Sequence, residues 1–109
     1  MPRTQAVTLS APIDNWHGKT LQSIDLKEPT GGLYVQLGEP RILVAGGSSL
    51  YWIEQNEVIK QYFDRLIDVD GGSAVLELMS LADVIKLKQA LFGFFTEAES
   101  IASSTGKGS

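Results

Sequence analysis

The chain has no cysteine, a single histidine and no long apolar run, and each shortage removes a class of function. Without cysteine there is no disulfide, no thiol nucleophile and no thiolate-ligated metal site. One histidine, His17, can build neither a multi-histidine metal site nor a triad with a partner at catalytic spacing, and its place among turn residues predicts a surface role. The apolar stretches fall far short of the roughly 20 residues of a membrane span. The first residues also lack the charged-then-apolar pattern of a secretory signal, so the protein is expected to stay where it is made. Basic residues are scarce as well, nine against thirteen acids for a net charge of −4, and they form no run. Such a surface repels phosphate backbones, which argues against nucleic acid as a partner.

What remains is the composition of an ordinary globule, with 43% hydrophobic and 20% charged residues, so wholesale disorder is not expected. At 109 residues the size prior gives one domain, expected over 1–97 and followed by a polar, glycine-containing tail at 98–109 too poor in apolar area to order itself. The alternations in QAVTLSAPI and TLQSIDL predict strands near 5–10 and 20–27, joined through Asp14, Asn15 and Gly18 in a loop longer than two residues. Pro29 and Thr30 predict the start of a short helix holding Leu33, Tyr34 and Leu37, closed by Gly38 and Pro40. RILVA reads as a short apolar run ended by GGSS, with a further strand at 50–53. Val58, Ile59, Tyr62, Phe63 and Leu66 recur at helical spacing, DVDGGS breaks the pattern, and Ser80 with Asp83 resembles a capping box that opens a helix over 81–97. The fold class is therefore α+β: an N-terminal antiparallel hairpin, or a small sheet with a third strand, packed against two or three C-terminal helices.

Short motifs with catalytic or ligand-binding precedents fail on their own chemistry. HGKT at 17–20 shares the GK pair of a phosphate-binding loop, but Ile13 stands where the leading glycine is needed and the segment enters a strand. DVDGG at 68–72 has the acids of a calcium loop, yet Ser73 and Met79 occupy the positions that require glycine and a bidentate glutamate. GGSSL is not the elbow that exposes a serine nucleophile. No metal, cofactor or small-molecule substrate is expected, and an enzyme would need carboxylates converging in a pocket.

The positive signal is apolar helix surface. At about 100° per residue, Leu81, Val84, Ile85, Leu87, Leu91, Phe92, Phe94 and Phe95 cover an arc of about 180°, wider than the stripe of somewhat over about 100° that one core contact needs. Lys88 falls near the middle of the arc and must reach water or a carboxylate, because burying an unpaired ammonium costs several kcal/mol. Two arrangements satisfy the pattern. The arc lies wholly inside, or one edge faces a partner or a second subunit with Lys88 at the seam. On the second, the partner-binding residues are Leu87, Lys88, Leu91, Phe92, Phe94 and Phe95, with Phe95 nearest the core and Phe92 or Phe94 at the contact.

Taken in order, VTLSAPI, GKTLQSIDLKEPT, YFDRL and LMSLADVIKLKQALFGFF resemble the tail assembly chaperones of long-tailed bacteriophages, small proteins of the E, 41 or 14 type. The resemblance covers about residues 5–96. Family members often carry an acid soon after the EPT, where this chain has Gly31 and Gly32. It implies a non-catalytic protein of the infected cell's cytoplasm that binds the long helical tape measure protein, keeps it soluble while tail tube subunits polymerise, and is absent from the finished virion. It also implies self-association and, in many members, a longer frameshifted product. The alternative is a tail connector or completion protein that stays in the virion.

Overall fold

His17 and Gly18 both adopt positive φ, 52° and 79°, and together they form the two-residue turn of the N-terminal hairpin. Positive φ at both central residues is the type I′ arrangement, whose twist matches that of the flanking strands. In the computed structural model, which describes residues 3–107, β1 (Thr4–Trp16) runs antiparallel to β2 (Lys19–Lys27). The longer loop expected here is absent. Asp14 and Asn15 belong to β1, where Asn15 takes φ 56° at a bulge, a conformation that asparagine tolerates well.

A second bulge is larger. Between the pairs Thr8–Ser23 and Ile13–Leu21, four residues of β1 stand opposite the single residue Gln22. The freed backbone donors are taken up by Asp83, which is fully buried. Its carboxylate accepts from Ser10 N–H at 2.8 Å, Ser10 Oγ at 2.9 Å and Ala11 N–H at 3.2 Å. Ser80 Oγ meanwhile accepts from Asp83 N–H at 3.2 Å, so the expected cap forms at the serine while the aspartate reaches across to the hairpin. Donation from Ser10 N–H is the largest influence on the carboxyl and lowers it from 3.8 to about 2.

Thr30 caps α1 (Gly31–Leu37) by accepting from Leu33 N–H at 3.1 Å, and Gly38 ends it. The chain then forms a second ribbon, β3 (Arg41–Gly46) with β4 (Ser49–Glu54), paired without a register shift. Its turn has positive φ at Gly47 alone, as in a type II′ turn. The two ribbons remain separate sheets, so among the described residues no third strand joins β1–β2; Ile67 adds only a single bridge to Leu26. Helix α2 (Asn56–Leu66) follows, then a 3-10 helix (Gly72–Leu78), and then α3 (Leu81–Lys107). Helix α3 does not end near Glu97: alanine, serine and glutamate sustain helical geometry well past the last core contact. The expected polar tail is thus helical as far as Lys107, and positions 108–109 lie outside the described residues.

The core joins the inner face of the hairpin (Val7, Leu9, Ile13, Ile24, Leu26) to Ile59, Tyr62, Phe63 and Leu66 of α2, Val75, and Leu87, Leu91, Phe92 and Phe94 of α3. Tyr62 is fully buried and donates to the Gly38 carbonyl at 2.7 Å, which fastens the end of α1 to α2. Burial pushes its phenol up to about 12. The hairpin tip is held where Trp16 Nε1 donates to the Asp70 carbonyl at 2.8 Å. Gly71, at φ 80°, lies against the tip so closely that a Cβ there would stand 2.9 Å from Trp16 Cζ2.

Candidate functional site

Tyr34 and Phe95 meet at 5.8 Å between ring centroids, and Phe95 and Tyr62 meet edge to face at 5.5 Å. Tyr34 and Phe95 floor an open groove of about 320 Å³ between the start of α1 and the C-terminal half of α3. Pro29 and Gly31 form one wall; Phe94, Ala98 and Ala102 form the other. Glu28, Glu39 and Glu99 also line it, and among the described residues no lysine or arginine does. Glu28 is engaged by Arg3, whose backbone N–H donates at 3.1 Å and whose guanidinium lies at 3.5 Å; the backbone bond is the main reason the carboxyl sits below its ordinary range. The Tyr34 hydroxyl donates to the Glu39 carboxylate, which raises the phenol above its usual value. An apolar floor with carboxylates at its edge suits an apolar segment flanked by basic residues.

The expected partner face of α3 divides. Leu87 and Leu91 are fully buried, and Phe92 and Phe94 are nearly so, all within the core that joins α3 to the hairpin and α2, while Phe94 also reaches the wall of the groove. Phe95, expected nearest the core, is the half-buried one that opens to the groove. Of the two outcomes open to Lys88, water or a carboxylate, the structure shows the carboxylate, Glu54 at 2.8 Å. The exposed part of the arc is at the other end of the helix, at Leu81 and Ile85.

A second apolar surface is larger than the groove. Ile42, Leu43, Leu50, Tyr51, Trp52 and Ile53 are all exposed on β3 and β4. This ribbon is fixed at its base alone. Gln55 N–H donates to the Pro40 carbonyl at 2.8 Å, and Gln55 Nε2 to the Glu39 carbonyl at 2.6 Å. The Arg41 guanidinium is sandwiched between Trp52 at 4.2 Å and Phe92 at 4.5 Å, while Glu54 holds Lys88. The radius of gyration, 15.7 Å, exceeds the about 13 Å usual for this length, consistent with a projecting ribbon and a long final helix.

The motifs with enzymatic precedents have structural places. His17 packs edge-on against Trp16 at 4.8 Å, Lys19 pairs with Asp70 at 3.6 Å, and Ser48 and Ser49 lie at the tip of the second ribbon. Among the described residues no group of three His, Asp or Glu could hold a metal ion, and no helix is long and apolar enough to cross a membrane. Sequence reasoning missed the groove and the exposed ribbon. The ribbon did leave a signal: residues 42–53 contain no charge and place apolar residues at both odd and even positions. No family model, curated protein or solved structure matches this chain.

Proposed function

We propose that this protein is a non-catalytic assembly chaperone of a phage tail, which holds the long helical tape measure protein soluble until tube subunits enclose it. The groove between α1 and α3 carries the reading: an aromatic floor, small walls at Ala98 and Ala102 and an acidic edge suit the apolar face of a helix flanked by lysine or arginine. The order of the EPT, YFDRL and LMSLADVIKLKQALFGFF segments supports the same reading. Binding is to an apolar stripe repeated along a helix, which lets one small protein coat a long partner at many places. The tail tube protein is a second contact as the complex is consumed, and the protein acts in the cytoplasm of the infected host.

Co-expression with the tape measure protein of the same phage tests this. The wild-type chain is expected to bring it into the soluble fraction and to co-purify with it. Ala98→Arg, which fills the groove from an exposed position, is expected to abolish both while leaving the helical spectrum intact. Unchanged co-purification by the folded variant defeats the groove assignment. Mass spectrometry of purified virions separates the alternative, since a connector or completion protein would be found there.

A further inference from the structure

Arg3 and Arg41 are held in one way, the guanidinium laid over an aromatic ring with oxygen acceptors at its edge. Arg3 lies over Phe94 at 5.5 Å, pairs with the Glu97 carboxylate at 2.9 Å and has Glu28 at 3.5 Å. Arg41 lies between Trp52 and Phe92 and reaches the Thr96 hydroxyl at 3.5 Å. The groove between α1 and α3 repeats these parts around Tyr34. The Tyr34 ring stands at 56° to that of Phe95, and its hydroxyl donates to Glu39. The charges of Glu39 and Glu99 both bear on the Tyr34 phenol, and both residues line the groove. Glu28 is answered by Arg3, but among the described residues no lysine or arginine pairs with Glu39 or Glu99. Two rings and two uncompensated carboxylates therefore share one part of the groove.

We propose that this part of the groove is an arginine seat: the guanidinium of a partner's arginine stacks on Tyr34 and donates to Glu39 and Glu99. Charge complementarity selects a cation, and the ring selects a guanidinium over an ammonium. A guanidinium is planar, weakly hydrated and always charged, so it stacks on a ring while its edge presents N–H groups to carboxylates. The bond from the Tyr34 hydroxyl uses one of the acceptor sites of Glu39, and the carboxylate keeps capacity for an incoming donor. The inference rests on the groove being the docking site proposed above. It adds which basic residue the partner must bring: an arginine beside the apolar stripe that packs on Ala98 and Ala102.

Heteronuclear NMR titration of the full chain tests the seat without any partner protein. N-acetylarginine amide is expected to shift the amide signals of Gly31, Tyr34, Phe95 and Glu99 with a Kd on the order of 1 mM. N-acetylcitrulline amide, its neutral isostere, is expected to bind about 10-fold more weakly. Glu39→Gln with Glu99→Gln should erase that preference. Tyr34→Leu should weaken the arginine probe about 5-fold, whereas Tyr34→Phe, which keeps the ring, should not. An arginine probe that shifts nothing up to about 50 mM overturns the proposal. So does a citrulline probe that binds equally well, or a Tyr34→Leu protein that binds like the wild type. Co-expression separates the seat from the chaperone reading. Loss of tape measure capture in Ala98→Arg with full capture by the double glutamine variant keeps the groove and sinks the seat. An arginine probe that binds as expected to a chain that captures no tape measure protein keeps the seat and sinks that partner.

Discussion

The described residues contain two β-hairpins with two-residue turns, and they are put to opposite uses. The first is irregular, interrupted twice, and buried along one face. The second is regular throughout, and exposes apolar side chains on both faces. The irregular hairpin is the one that belongs to the core. Its large bulge turns Ser10 and Ala11 out of the ladder, and their donors become the socket for Asp83 at the start of α3. A perfect ladder satisfies itself and offers a helix carboxylate nothing to hold. Local disorder in the pairing is here what docks one element on another.

Matched substitutions can break this contrast. The largest effect is expected from equal truncations: Ile24→Ala in the first hairpin should cost about 3 kcal/mol in denaturant unfolding, and Leu50→Ala in the second less than ~0.5 kcal/mol when measured on monomer. Comparable losses would mean that the second ribbon is part of the core. Next are the two carboxylates. Asp83→Ala should lower Tm by about 10 °C, since buried N–H groups lose a charged acceptor, whereas Glu54→Gln should shift stability by less than ~1 kcal/mol. Because the folded Asp83 carboxyl is depressed to about 2, its contribution is complete above about pH 4 and is lost as pH falls from 3.8 toward 2. Acid unfolding of Asp83→Ala should accordingly be flatter over that window, and an identical pH profile would remove Asp83 from the account.

Two glycines sharpen the comparison further. Gly71 and Gly47 both have positive φ, but a Cβ at Gly71 meets Trp16 whereas one at Gly47 meets nothing within 4 Å. Thermal melts should show Gly71→Ala costing about 2 kcal/mol and Gly47→Ala about 1 kcal/mol, the strain common to both. The smallest effect is expected at the first turn, where His17→Asn should change stability by no more than about 0.5 kcal/mol, since asparagine accepts the left-handed conformation more readily.

Much of this architecture was legible in residue order. The spacing of Val58, Ile59, Tyr62, Phe63 and Leu66 gives α2, Thr30 and Gly38 bound α1, and Lys88 in an apolar arc had to reach water or a carboxylate, of which Glu54 is the second. The bulge was not legible, because alternation measures the period of a strand and says nothing about its partner's register. Phe92 lies deeper than Phe95, opposite to the expected order of burial, for a related reason: a helical wheel ranks angles, but which angle is covered depends on where α1 and the hairpin come to rest. The groove belongs to neither helix alone and so had no sequence signature. The full reach of α3 was missed because small polar residues signal a tail by composition while still permitting a helix.

Each hairpin also carries one of the two tryptophans. Trp16 is tied by its indole N–H to Asp70 and packed beside His17, while Trp52 is 48% exposed beneath Arg41. The chain thus comes with two intrinsic fluorophores in unlike surroundings, one reporting on integrity of the fold and the other on whatever covers the ribbon. A Trp16→Phe protein would emit from the ribbon alone. A blue shift and slower quenching of that signal would then record the arrival of a second copy or a foreign partner in real time, with no dye attached.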